Sequence, residues 1–234
     1  MNPELEPKIP VEEIENSQVM EDRLFTFRDI DGNEQFETVE KIGRLGDYLR
    51  EMDSRIIGVS IAGSTVKGYS KPESEKKSDV DLYIIYNDND KNLSSHEQSD
   101  VMKNAHTDYL PKFSKNNNIK IDHLNWGGLN IADLSPHIIF SVPQIVKPLI
   151  FPIFGDTDEV KSCIDVVKSA VSNWTPEQKK GWVSVLAAFA VGGTYESDKF
   201  FARNGIESTP QLVEEYRKKK KEMYKERIQK LFIN

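Results

Sequence analysis

Two aspartates that bracket a single apolar residue, Asp79 and Asp81, are the strongest indication of chemistry in this sequence. They open an apolar run that ends at Tyr86, which has the composition of a β-strand. Side chains alternate along a strand, so both carboxylates lie on one face with their Cα atoms about 6.5 Å apart. Two carboxylates on an otherwise apolar strand are costly unless a cation neutralises them. Because oxygen ligands suit Mg²⁺, the pair predicts a divalent metal site.

A second feature, the dipeptide Gly63-Ser64, lies just after another apolar run, residues 56–61. That run predicts a buried strand, and the chain must turn where the strand ends. A small Gly-Ser turn between a strand and the start of a helix is a suitable seat for a phosphate group. A phosphate seat followed by a carboxylate pair indicates metal-dependent chemistry on a nucleoside triphosphate.

In this order, Gly63-Ser64, a 14-residue spacer and Asp79-Val80-Asp81 resemble the signature of the nucleotidyltransferase superfamily that includes DNA polymerase beta. The stretch from Gly63 to Gly68 is most similar to the minimal nucleotidyltransferases and the aminoglycoside adenylyltransferases. In those proteins a basic residue, here Lys67, often precedes the second glycine. The spacer is slightly longer than is usual in the family, and the specific part of the resemblance covers residues 56–86.

The resemblance implies transfer of a nucleoside monophosphate from an NTP, with ATP as the expected donor, to an acceptor hydroxyl, with release of pyrophosphate. Two Mg²⁺ ions are the implied cofactors, held by Asp79 and Asp81 and bridging the triphosphate and the attacking oxygen. The residues expected to bind the nucleotide are Gly63, Ser64, Lys67 and Gly68.

The family also takes a third carboxylate from a later strand beside the first pair. Residues 118–126 alternate in polarity as a strand does, and Asp122 within them is the matching candidate. It would be a third metal ligand and the group that takes the proton of the acceptor hydroxyl. Asp133, in a predicted loop, is the competing candidate.

Composition limits the class of protein. The chain has 234 residues, 29% of them charged, and a formal net charge of −7, which argues against general nucleic-acid binding by overall electrostatics. The single cysteine, Cys163, excludes an internal disulfide and suits a reducing cytosol, so a cytoplasmic location is expected. The most apolar stretch, residues 138–154, contains three prolines and a lysine, so no membrane span is predicted.

The pattern along the chain predicts an α/β (α+β) fold. Residues 1–22 carry seven acidic side chains and read as a largely mobile lead-in. A small mixed-sheet nucleotidyltransferase domain is expected over residues 23–156, beginning with a β-hairpin at residues 24–38 and a helix over residues 39–52. Residues 137–155 are expected to form an irregular buried connection. A helical C-terminal domain, residues 157–234, then contains four helices over residues 158–171, 176–191, 194–203 and 210–232.

The identity of the acceptor is open at this level. A small hydroxylated cation such as an aminoglycoside suits an acidic protein. An RNA 3′ end or a protein hydroxyl is the alternative, because residues 211–234 carry eight basic and four acidic side chains, which leaves −11 for the rest of the chain. A solvated helix face is the favoured explanation of that charge, because a run of Lys and Arg without interleaved aromatic residues is weak evidence of a binding surface. A domain that binds a nucleotide or a partner protein without turnover is the third interpretation.

Overall fold

The computed structural model describes residues 24–27, 31, 33–67, 80–89, 99–121 and 127–234. Its centre is the strand β1, Ile56–Ala62, in which all seven residues are buried. Branched side chains fill both faces of this strand, which is why it forms the middle of a sheet rather than an edge. Strand β2, Asp81–Tyr86, pairs with β1, so both strands predicted from the sequence are confirmed.

The sheet has four strands in the order β3-β2-β1-β4. β2 runs antiparallel to β1, with Ala62 opposite Asp81 and Ser60 opposite Tyr83. β3, Gly127–Asn130, runs parallel to β2, and β4, Ile153–Gly155, runs antiparallel to β1. The mixed sheet expected from the sequence is therefore confirmed.

The chain enters the sheet through helix α1, Phe36–Met52. Its apolar stripe is buried as predicted, with Ile42, Leu45 and Leu49 fully inaccessible. The helix begins three residues earlier than expected, so the predicted second strand of a hairpin is wrong at Phe36, which is helical. Tertiary packing of the amphipathic stripe overrides the short alternating pattern there, although a backbone hydrogen bond from Gln35 to Phe27 still closes a turn (3.0 Å).

The segment between β2 and β3 is helical before it reaches the sheet again. Helix α3, Asp100–Asn104, is capped by Ser99 and continues through one π-helical turn into α4, Leu110–Asn117. Within the strand predicted over residues 118–126, Ile121 forms a single parallel bridge with Val80, and residues 122–126 lie outside the described part of the chain.

The apolar, proline-rich stretch is partly irregular, as expected. Helix α5, Pro136–Ser141, leads into a 3₁₀ segment, Pro143–Ile150, because prolines 143 and 148 prevent a regular α-helix. The stretch then ends in β4, which joins the same sheet, so the irregular connection that was expected up to residue 155 is wrong for the last three residues. A strand of three residues is too short to show an alternating pattern in the sequence.

Four helices complete the chain at nearly the predicted bounds. A capping box begins α7, where Thr175 and Gln178 exchange side-chain to backbone hydrogen bonds (2.8 and 3.3 Å). The helical spacing of Trp182, Leu186, Phe189 and Ala190 predicts a buried face, and this is wrong for Phe189, which is 44% exposed. The helices are α6, Thr157–Ser172; α7, Pro176–Val191; α8, Thr194–Arg203; and α9, Pro210–Phe232.

One cluster of buried side chains runs from the sheet into these helices. It contains Ile61 and Ile84 of the strands, Trp182 of α7, and Ile228 and Phe232 of α9. A smaller cluster joins α8 to the first turns of α9. The division into domains at residue 157 remains a prediction. No helix in the described residues is long and apolar enough to cross a membrane.

Candidate active site

The end of β1 and the beginning of β2 meet at one point. Gly63, directly after β1, has a left-handed backbone (φ +68°), and a Cβ placed on it would lie 1.7 Å from Oδ2 of Asp81. The carboxylate therefore occupies the space that a side chain at position 63 would fill. This contact follows from the register, because Ala62 is the partner of Asp81 across the two strands. The structure thus brings together the glycine turn and one carboxylate of the predicted site.

The turn after Gly63 is held rigidly. Helix α2, Ser64–Lys67, has its first three residues buried, and Ser64 itself is 5% exposed. The side chain of Gln35 donates a hydrogen bond to the carbonyl of Thr65 (3.1 Å), and the backbone N–H of Thr26 donates to the carbonyl of Val66 (3.1 Å). Two segments from outside the sheet therefore fix the backbone beside Asp81.

Three of the predicted site residues, Asp79, Gly68 and Asp122, lie outside the described residues. Their sequence neighbours are described. Val80 forms a parallel bridge with Ile121, and the N–H of Val80 donates to the carbonyl of Lys120 (2.9 Å). The chain segments that precede Asp81 and Asp122 thus run side by side. Lys67 is described, half-buried at the last position of α2.

The competing third carboxylate, Asp133, lies at the wrong end of the sheet. It follows β3, whose last residue, Asn130, pairs with Tyr86 at the far end of β2. Five residues of extended strand separate that end from Asp81, a distance of about 16 Å. Burial raises the pKa of Tyr86 to about 12, and the nearby charges of Asp133 and Asp88 add to the shift. Asp133 is therefore unsuited to share an ion with Asp81.

Other acidic residues near that end of the sheet have structural roles, as acceptors of hydrogen bonds and partners in ion pairs. Asp88 is buried, accepts a hydrogen bond from the hydroxyl of Ser99 and is bonded at its backbone to the side chain of Asn130. Arg55 contacts Asp88 and also holds Asp53, whose pKa is lowered by the hydrogen bonds from that guanidinium. These contacts fasten the ends of β1, β2 and β3 to the start of α3.

One cation near the site was missed in the sequence. Tyr83 lies on the same face of β2 as Asp81, two residues further on, and its ring stacks on Phe151 (centroids 6.3 Å apart). Nζ of Lys147 lies 5.6 Å from the centroid of Tyr83 and 5.9 Å from that of Phe151. The 3₁₀ segment that carries Lys147 is held across this face by a hydrogen bond from Ser60 to the carbonyl of Pro148 (2.7 Å). The sequence feature that could have identified Lys147 is that it is a single lysine within an apolar stretch.

The described residues alone do not make a metal site. Among them, no three His, Cys, Asp or Glu side chains are grouped closely enough to hold an ion. Asp81 is half-buried and supplies hard oxygen donors, which is the donor type that Mg²⁺ takes. The other two expected ligands, Asp79 and Asp122, are both outside the described part.

The fold and the site define a mixed α/β protein with a four-stranded sheet and a glycine turn against a strand-borne carboxylate. Comparison with known proteins adds no identity, since the chain matches no family model, no curated protein and no solved structure.

Proposed function

We propose that the chain is a Mg²⁺-dependent nucleotidyltransferase that moves a nucleoside monophosphate from an NTP to an acceptor hydroxyl. The observation that carries the proposal is the contact between Gly63 and the carboxylate of Asp81. A glycine turn allows a phosphate group to approach the backbone closely. The carboxylate beside it is an oxygen donor of the type that binds Mg²⁺, the cation that accompanies a nucleoside triphosphate. The bridge between Val80 and Ile121 supports it, because it pairs the segments from which Asp79 and Asp122 continue.

Each residue has a distinct role in this proposal. The acceptor oxygen attacks the α-phosphorus, the bond from that phosphorus to the bridging oxygen breaks, and pyrophosphate leaves. Asp122 takes the proton of the acceptor hydroxyl. Mg²⁺, when bound, would neutralise the phosphate charge and act as a Lewis acid. Asp79, Asp81 and Asp122 would hold it, and Gly63, Ser64, Lys67 and Gly68 would bind the phosphates.

A small hydroxylated acceptor fits the charge distribution better than RNA. Of the basic residues in α9, Arg227 is half-buried and donates a hydrogen bond to the carbonyl of Ile150, and Lys225 is paired with Glu222 (2.7 Å). The exposed basic surface of this helix is therefore smaller than its composition indicates, while the whole chain is acidic. An acidic protein attracts a cationic acceptor, of which an aminoglycoside is one example. RNA, a protein hydroxyl, or nucleotide binding without turnover remain the alternatives.

The first test is binding. ATP and the other NTPs are titrated with and without Mg²⁺ into the wild type and into Asp79→Asn and Asp81→Asn. We expect affinity to need both the metal and the aspartates, whereas Asp133→Asn, which lies beyond the far end of β2, should bind as the wild type does. Equal affinity in every arm would contradict the metal site.

The second test is turnover. Asp122→Asn should fold, keep most of its NTP affinity and lose at least about 10²-fold in rate, the lower end for loss of a general base. Incubation of the wild type with labelled NTP and cell extract then identifies the acceptor, because the label will appear in a small molecule, in RNA or in protein. Undiminished turnover by Asp122→Asn would exclude its role as base.

A further inference from the structure

One side of helix α7 presents apolar side chains to solvent. Val185 and Phe189 are 46% and 44% exposed, although both side chains are large and apolar. They are four residues apart and therefore lie on the same face of the helix. Ala188 is exposed beside them, and residues 181–193 contain no charged side chain. In a chain with 29% charged residues, an exposed face of this kind is typical of a contact with another macromolecule.

The side chains along this face increase in size in one direction. Gly181 lies one turn before Val185, and Phe189 lies one turn after it, so the face carries no side chain, a medium one and a large one in steps of about 6 Å. Gly181 is exposed, and nothing lies within 4 Å of a Cβ placed on it. This position therefore leaves an open gap on the surface of the helix.

The gradient in size is complementary to itself when two copies of α7 cross in opposite directions. With a twofold axis at Val185, the Phe189 ring of each copy lies over the gap at Gly181 of the other, and the two Val185 side chains meet. In a parallel crossing the two Phe189 rings would meet and the two gaps would face one another, which leaves space unfilled. The volumes therefore favour an antiparallel contact with a second copy of this chain.

The charges at the ends of the face agree with the same register. Glu177, exposed one turn before Gly181, lies opposite Gly193 of the other copy, where helix α8 begins. Gly193 has no side chain to accept hydrogen bonds from the first N–H groups of α8, whose N-terminus carries a partial positive charge. The Glu177 carboxylate supplies that acceptor. The exposed Lys180 lies toward the partially negative C-terminus of the other α7.

We propose that the chain forms a twofold-symmetric dimer through an antiparallel pair of α7 helices, with Phe189 of each copy seated at Gly181 of the other. A single helix face is smaller than the about 800 Å² per partner of a standard stable interface, so association is expected only at micromolar concentrations. The inference is independent of the proposed function, because no residue of this face belongs to the candidate active site.

Sedimentation velocity of the full chain over a range of concentrations should show a monomer that converts into a dimer. Gly181→Leu is the most specific variant, because the monomer has room for the new side chain, whereas the dimer has Phe189 in that space. Gly181→Leu and Phe189→Glu should each weaken dimerisation by about 10-fold or more, since a filled gap or a buried carboxylate opposes the contact.

Phe36→Glu is the matched control, because Phe36 is an exposed phenylalanine on another helix (73% exposed), and this variant should leave the dimer unchanged. A chain that stays monomeric at every concentration would overturn the proposal. So would a dimer that forms equally well in Gly181→Leu and Phe189→Glu.

Cysteine cross-linking under mild oxidation tests the register. Val185→Cys should form a disulfide-linked dimer with itself, because both copies place this residue at the twofold axis. Gly181→Cys and Phe189→Cys should cross-link to each other when mixed, and less efficiently to themselves. The native Cys163 does not compete, since it is 1% exposed. If each of the last two variants cross-linked mainly to itself, the antiparallel dimer would be wrong.

Discussion

At the scale of single residues, the site depends on the absence of a side chain at position 63. The carboxylate of Asp81 fills that space, and the left-handed backbone of Gly63 disfavours any Cβ independently of the clash. Both effects act at the same atom, so one substitution displaces the carboxylate of Asp81, the proposed metal ligand, and strains the turn that is proposed to bind phosphate.

Gly63→Ala should therefore lower the free energy of unfolding by about 1–3 kcal/mol and weaken NTP binding by at least about 10-fold. Gly43→Ala is the matched control, because position 43 lies inside α1 with nothing within 4 Å of the added Cβ. It should raise stability by about 0.5–1 kcal/mol. Urea unfolding and ATP titration of both variants provide the measurement. A Gly63→Ala protein as stable as the wild type, with unchanged affinity, would place the phosphate seat elsewhere.

At the scale of elements, one arginine of α9 ties this helix to segments beside the sheet. Arg227 donates a hydrogen bond to the carbonyl of the buried Ile150, and its guanidinium lies 5.0 Å from the ring centroid of Phe25. Burial lowers the pKa of this guanidinium, so its charge is held at some cost. Helix α9 is thus tied both to the segment before β4 and to residues 24–27.

Arg227→Met should lower the free energy of unfolding by about 1–3 kcal/mol, because the Ile150 carbonyl loses its donor in a buried place. Lys230→Met, one turn further along an exposed side of α9, should stay within about 0.5 kcal/mol of the wild type. Urea denaturation followed by circular dichroism compares the two. Equal stability of the variants would show that the hydrogen bond contributes nothing to the docking of α9.

At the scale of the whole molecule, the sheet and the C-terminal helices share one cluster of buried side chains. The reactivity of Cys163 can be used to follow unfolding of the C-terminal helices. The residue is 1% exposed, and burial raises the pKa of its thiol to about 11. Thiolate is the reactive form, so this thiol should react with a disulfide reagent only after unfolding.

Ile84→Val in β2 and Ile228→Val in α9 should each cost about 0.5–1.5 kcal/mol, since both side chains are buried in that cluster. We expect each variant to shift the urea midpoint of circular dichroism and the midpoint of Cys163 labelling together, as in a single cooperative unit. If Ile84→Val shifted the dichroism and left the protection of Cys163 unchanged, the division at residue 157 would describe two independent units.

The sequence by itself determined most of the helices and strands, and it also predicted the glycine turn and Asp81 as parts of one site. Ile56–Ala62 and the four C-terminal helices could be predicted because branched apolar runs and helical periodicity are local signals, strengthened by caps such as Thr175. The pairing of a glycine turn with Asp81 could also be expected, because strand ends and alternation follow from the residues alone.

Only the tertiary structure decided which distant residues join that pair. Asp133 is excluded by the parallel register of β3 on β2, and Lys147 is brought to the Asp81 face of the sheet by the packing of the 3₁₀ segment. Nothing in a local pattern specifies such contacts, because they depend on how one buried face meets another. The same reason explains the failure at residues 36–38, where the packing of α1 outweighed a short alternating run.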